Sequence, residues 1–342
     1  MTAKVRWNPA RSALTVVLGL ALATAGCANQ NSTPRPSSAA VGAIGAGLQA
    51  EFEAIVDRVG PSVVLIQTSN GLGSGVVYDA KGSIVTNAHV VGNETKFMVS
   101  ASDGRQMAAT LVGSFPVDDL AVIRAEHTDL PPATFGDSSK LEVGMVVLAI
   151  GNPLGLQSSV TEGIISATGR TVVEPGGAAL PNTVQTSAAI NPGNSGGALV
   201  DLTGAVVGIP TLAAGDPGLG GAAPGIGFAI PSNTAKEIAR QFVENGKVVS
   251  SHRAYLGVQS AKVQGAPGVL VYSIEEGGPA AHAGIKPGEL IVEIDGKATP
   301  DPAALAAVLA DLQPGQTVKV KVLDPDASTR EVSVTLGELP AG

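Results

Sequence analysis

The stretch "INPGNSGGALVD" at 190–201 places one hydroxyl, Ser195, in a tight run of glycines just before an apolar segment. A serine becomes a nucleophile when a base takes its proton and when donors meet the oxygen that turns negative. Small residues flank Ser195, and Gly193 can take up a turn that aims its N–H outward beside that of Ser195. Those two N–H groups could form an oxyanion hole. Taken alone, the same pentapeptide reads equally well as a glycine-rich surface turn.

A base narrows the choice, because the chain has only four histidines. His127, after Glu126 in a polar stretch, His252, between the two domains, and His282, in "GPAAHAGIKPG" of the second unit, read as solvated surface. His89, in "SIVTNAHVV", stands at the end of a buried strand. A lone histidine there is ordinarily a satisfied core residue, but the presence of "GNSGG" favours the base. The imidazole then needs a carboxylate to fix its tautomer and stabilise the imidazolium. "PVDDLAVIRA" sets Asp119 at the start of an apolar strand, where an acid is costly unless donors meet it. Asp118 points the other way if the segment is extended, so it is expected to be solvated. The chain order His89, Asp119, Ser195 is one of three unrelated orders in which this triad occurs.

The blocks "TNAHVV", "DDLAV" and "NPGNSGGALV" resemble the catalytic blocks of the HtrA/Deg family of trypsin-like serine endopeptidases. "AIGNPLGL", "TEGIISATGR" and "GIGFAIPSN" resemble it too, and the likeness runs from about residue 52 to the end. It implies a mostly β protein: two six-stranded antiparallel barrels of chymotrypsin type, with His89 and Asp119 from the first and Ser195 from the second. It also implies cleavage of unfolded, damaged or regulatory exported proteins without metal, organic cofactor or ATP. Two positions depart from the pattern. Ser187 and Phe115 stand where family members often carry acids. The short connection before "GLGSGVV" argues against large cages, and a homotrimer is expected. A competing reading is a chaperone or scaffold whose protease fold is latent.

Residues flanking the nucleophile suggest the S1 pocket: Ala189 and Ile190 before it, Thr211 and Leu212 in "IPTLA", and Gly225, Ile226 and Gly227. With no acid among them, a small or medium aliphatic P1 residue is expected, with modest discrimination. From about 253 a second unit begins. "GGPAAHAGIKPGELIVEIDGKAT" resembles a PDZ domain, a small α+β fold. There Tyr255, Leu256, Gly257 and Val258 would present N–H groups to a peptide's C-terminal carboxylate, and the peptide would add as a strand beside a helix at 302–312.

The elements that must position these residues are legible as short β-branched runs between turn residues. "SVVLIQT", "GSGVVYD", "LAVIRAE", "MVVLAIG" and "AVVGIP" are strand-length, and 44 glycines and 23 prolines punctuate the chain. "PSNTAKEIARQFVENGKV" reads as one amphipathic helix, capped by Asn233 or Thr234 and stopped by Gly246. The expected organisation is a leader over 1–27, a flexible linker over 28–49, a protease domain over 50–250 and a PDZ domain over 253–340.

The leader joins three basic residues to an apolar run ending in "TAGC", with Cys27 the only cysteine in the chain. This resembles a bacterial lipobox, with Thr24 where leucine is usual, and implies a lipid anchor on the outer face of the membrane. An ordinary signal peptide cut after "ATA" at 23–25 is the alternative, and either route exports the body. With no other cysteine the body relies on no disulfide. The net charge is −8, and since all the leader's charges are basic, the exported body is more acidic still. That argues against a nucleic-acid partner.

Overall fold

The computed structural model describes residues 38–340 apart from Asn70, 127–128, 153–158, 174–178, Pro192 and 217–220. Cys27, the rest of the leader and His127 lie outside the described residues.

Strands β1 (Val63–Gln67), β2 (Leu72–Val77), β3 (Ser83–Thr86), β4 (Lys96–Ser100), β5 (Gln106–Phe115) and β6 (Leu120–Ala125) close a first antiparallel barrel in the order β1-β2-β3-β6-β5-β4. A second barrel uses β7 (Val146–Gly151), β8 (Ser159–Val173), β9 (Ala179–Thr186), β10 (Ala198–Asp201), β11 (Val206–Asp216) and β12 (Gly221–Pro231), in the order β10-β11-β12-β9-β8-β7. Closure leaves neither sheet with a free edge. One apolar cluster joins them: Val76, Val85 and Leu120 of the first barrel pack with Ile150, Val200 and Ile209 of the second.

Helix α1 (Ser38–Val59) precedes the first barrel, α2 (Ala88–Val91) is a single turn after β3, and α3 (Ser232–Asn245) follows β12. The linker expected over 28–49 is therefore helical from Ser38 on. The run is free of proline and carries alanines, although Gly42, Gly45 and Gly47 weaken its helix propensity. Ala235, Ile238 and Phe242 of α3 are buried in the shared core, and Gly246 ends the helix at φ 71°. The expected cap at Asn233 or Thr234 is absent because the helix already begins at Ser232, after Pro231, with no side-chain cap; the Asn233 amide donates to Asp137 at 2.8 Å.

The C-terminal α+β unit has its own core, centred on Leu256, Val271, Ile291, Val320 and Leu305. Its main sheet runs β14 (Val258–Lys262), β15 (Val269–Ile274), β16 (Leu290–Ile294), β18 (Thr317–Leu323), β19 (Thr329–Thr335), with β17 (Lys297–Ala298) on β16. Strand β13 (Ala254–Tyr255) pairs with β20 (Gly337–Glu338), α4 (Pro279–His282) is one turn, and α5 (Pro302–Ala310) is capped by Asp301. The segment between α3 and β13 is pinned: Gln241 Oε1 accepts the N–H groups of Val249 and Ser250, and its Nε2 donates to the Ser250 carbonyl.

Candidate active site

His89, Gly193, Ser195, Thr211 and Ile190 line one cleft of about 550 Å³, within the usual range for ligand sites. His89 sits on α2, held there because Asn87 stays extended and lets the chain turn immediately after β3. Asp119 ends the 3-10 turn Pro116–Asp118 and occupies the left-handed region at φ 49°, ψ 42°. That conformation swings its carboxylate to α2 before β6 begins. His89 Nδ1 lies 2.8 Å from Asp119 Oδ2 and 3.0 Å from Oδ1. The His89 N–H donates to Oδ1 at 2.9 Å, and Thr211 Oγ1–H donates to Oδ2. Asp119 is 2% exposed, so these donors replace water around a charge that burial would otherwise make costly. The Asn87 side-chain N–H fixes the main chain too, donating to the Asp119 carbonyl at 3.0 Å.

Ser195 is half-buried, and its hydroxyl donates to the Thr211 carbonyl at 3.0 Å. Gly193 and Gly196 both have positive φ, 106° and 80°. At Gly196 a Cβ would fall 2.2 Å from the Ser74 carbonyl, so glycine is required there on two counts. The Asn194 carbonyl accepts from the Gly197 N–H at 2.9 Å. Because a trans peptide is planar with N–H and C=O opposed, the Ser195 N–H of that same unit faces the other way. That N–H is one of the two expected oxyanion donors. The other expected donor, the Gly193 N–H, belongs to the peptide shared with Pro192, outside the described residues. The Gly193 carbonyl is turned inward, where it accepts from the Ser74 hydroxyl at 2.5 Å. Ser74 in turn accepts from the Asn152 N–H at 2.8 Å, and its own N–H donates to the Ser195 carbonyl at 2.9 Å.

Of the seven residues expected to line S1, Ile190 is buried against Gly227, where a Cβ would fall 2.4 Å from Ile190 Cγ1. Ala189 is exposed, and its carbonyl accepts from Thr161 and from the Asn194 amide. Thr211 lines the cleft but commits its hydroxyl to Asp119. Gly225 and Ile226 stand exposed on β12, and the Leu212 backbone pairs with Phe228. Phe115 is core, and the exposed Ser187 bonds through N–H and Oγ to Ile164.

Asp118 differs from expectation. It is buried rather than solvated, because residues 116–118 form a 3-10 turn instead of an extended strand, which removes the alternation. Its Oδ1 is 3.2 Å from Arg253 Nε, with the two side chains 8% and 11% exposed. Burial pushes the Asp118 carboxyl above its ordinary range, with Arg253 and then His252 pulling it back. Burial likewise lowers Arg253. His252 and His282 are both exposed, as expected. Ser74, Asn87 and the Thr211 hydroxyl were not anticipated. A signal for Thr211 exists only in three dimensions: β11 and β12 slip register between Pro210 and Leu212, and that bulge re-aims its side chain.

In the C-terminal unit, Tyr255 to Val258, Ser260, Pro302, Leu305, Ala306 and Leu309 line a groove between β14 and α5. Gly257 has φ 76°, and its carbonyl accepts from the Glu275 N–H at 2.9 Å, which shapes the loop entering β14.

Comparison with known proteins agrees with this geometry. A family described as trypsin-like peptidase domain matches residues 73–209, and one described as PDZ domain matches 254–336. The chain is 39% identical over 308 residues to the serine protease PepD of Mycobacterium tuberculosis, covering 84% of this chain and 66% of PepD. It is 35% identical to the serine endoprotease DegS of Escherichia coli K12, covering 79% of this chain and 78% of DegS. It spans only 57% of a probable periplasmic serine endoprotease, DegP-like, of Halomonas elongata, at 40% identity. Among solved structures, the HtrA-type protease AlgW with a decapeptide matches at 33% identity and a TM-score of 0.59, covering 85% of this chain and 99% of AlgW.

Proposed function

Since the chain belongs to the HtrA/Deg family of trypsin-like serine endopeptidases and carries one C-terminal PDZ domain, we propose that it hydrolyses peptide bonds of unfolded, damaged or regulatory polypeptides outside the cytoplasmic membrane. The observation that carries this reading is the Asp119 carboxylate bonded to both nitrogens His89 offers it, in the cleft that Ser195 also lines. Ser195 Oγ attacks the scissile carbonyl as His89 takes its proton. The oxygen that becomes negative meets the N–H groups of Ser195 and Gly193. His89 returns the proton to the leaving amine, then activates water for the second half of the cycle. Asp119 holds the ring's tautomer and balances the imidazolium. Ile190 and Gly227 favour a small or medium aliphatic P1 side chain. Tyr255 to Val258 receive the terminal carboxylate of a peptide that extends β14. A homotrimer tethered through a lipidated Cys27 completes the proposal.

A fluorophosphonate probe tests the hydrolase reading: wild type is labelled at Ser195, Ser195→Ala is not, and wild type cleaves unfolded casein. Absence of labelling at Ser195 under conditions where the chain is folded would refute it. A second reading, a latent protease acting as a chaperone, is tested with the same variant. Suppression of substrate aggregation by Ser195→Ala at wild-type potency would support that reading, and loss of the effect would dismiss it.

A further inference from the structure

The turn that carries Asp119 is held from outside the protease barrels. Arg253 sits immediately before β13, and its guanidinium closes on three groups. Nε pairs with Asp118 Oδ1 at 3.2 Å, while Nη2 donates to the Val117 carbonyl at 3.2 Å and also to the Ala179 carbonyl. One cation thus clamps the two residues directly preceding the catalytic acid and ties them to the start of β9 in the second barrel.

We infer that Arg253 is a positioning residue for the triad, acting through Asp118 and the Val117 carbonyl; the inference rests on the hydrolase reading above. Four features argue for it. Asp119 is non-glycine in the left-handed region, a conformation that persists when its surroundings over-determine it. Arg253 fixes the 3-10 turn on the side that Asn87 and His89 do not reach. Asp118 and Asp119 are consecutive buried acids, and each needs its own counter-charge or donors. Arg253 serves Asp118, leaving Asp119 to His89 and Thr211. Finally, the clamp is poorly suited to stability alone. Burying an ion pair costs desolvation, and Arg253 Nη1 has no hydrogen-bond partner among the described residues. A pair retained at that cost is better explained by the geometry it imposes on its neighbour.

The test compares Arg253→Met, Arg253→Lys and the double variant Asp118→Asn/Arg253→Gln in the full chain. Peptide-hydrolysis kinetics, thermal unfolding and the low-field proton resonance of the His89 Nδ1–H are followed. Arg253→Met is expected to lose kcat by tenfold or more with KM within twofold. Arg253→Lys should recover only part, because a point charge cannot reproduce the fork that meets three acceptors. The double variant removes both buried charges. It should regain most of the lost melting temperature without regaining kcat. Turnover and melting temperature falling and recovering together would mean the pair only stabilises the fold and would overturn the inference. So would kcat within twofold of wild type in any folded Arg253 variant. The resonance reports the His89–Asp119 bond without hydrolysis: it should shift or vanish in Arg253→Met, and an unchanged signal would overturn the inference. Should wild type fail to label at Ser195, the hydrolase reading falls, while the resonance still decides whether Arg253 positions the pair.

Discussion

Thr211→Val isolates one bond of the candidate triad. The side chain is 3% exposed, and valine keeps its shape while removing the hydroxyl that donates to Asp119 Oδ2. The carboxylate then keeps the His89 N–H and Nδ1–H but loses a third donor. A hydrogen bond to a charged group contributes about 1.5–3 kcal/mol. If all of it is felt in folding, the melting temperature falls by roughly 3–12 °C for a domain of this size. If all of it is felt in the transition state, kcat/KM falls about 10- to 150-fold. The two limits are separable. Scanning calorimetry reads the first, and the second-order rate of fluorophosphonate labelling at Ser195 reads the second. Thr211→Ser retains the donor and should stay near wild type in both. Because the main-chain carbonyl of residue 211 is untouched, the resting contact of the Ser195 hydroxyl is preserved in all three proteins. A Thr211→Val chain that labels within twofold of wild type and melts within 1 °C of it would refute the view that three donors hold this carboxylate.

Asp119→Asn should fold and lose roughly four orders of magnitude in turnover, by analogy with the general protease case. A loss under tenfold in steady-state assays would assign the role to another acid. Gly196→Ala forces a Cβ to within 2.2 Å of the Ser74 carbonyl, so the nucleophile turn must shift. Its labelling should fall about 100-fold or more, as for a lost oxyanion donor, and normal labelling would refute the packing argument. Asp137 is held well below the usual carboxylate range, first by the Asn233 side chain and then by Ser139. A depressed folded value means stability present above about pH 4 and lost on acidification. The melting-temperature gap between wild type and Asp137→Ala should therefore narrow from pH 5 to pH 2.5, and a constant gap would refute it. A peptide bound in the β14–α5 groove should bind about tenfold or more weakly when its C-terminus is amidated; equal affinities by fluorescence anisotropy would exclude carboxylate capture at Tyr255–Val258.

The parts legible in the sequence are those whose signal is local. Ser195 is announced by its glycines, His89 by the strand it ends, and the barrel strands by β-branched runs between turn residues. What escaped depends on partners far along the chain. Asp118 looks solvated until Arg253 arrives from beyond α3. Thr211 looks like a pocket wall until the register slip in β11 turns it toward Asp119. The cap on α3 depends on a distant partner too: the helix begins at Ser232, and the Asn233 side chain, already inside the first turn, donates to Asp137.

The single hydroxyl of Ser74 touches both halves of the protease: rooted in β2, it grips the carbonyl of Gly193 and is gripped by the N–H of Asn152. The cleft is therefore a stitched seam and not a hinge. Rocking one barrel against the other would tug directly on the backbone beside the nucleophile.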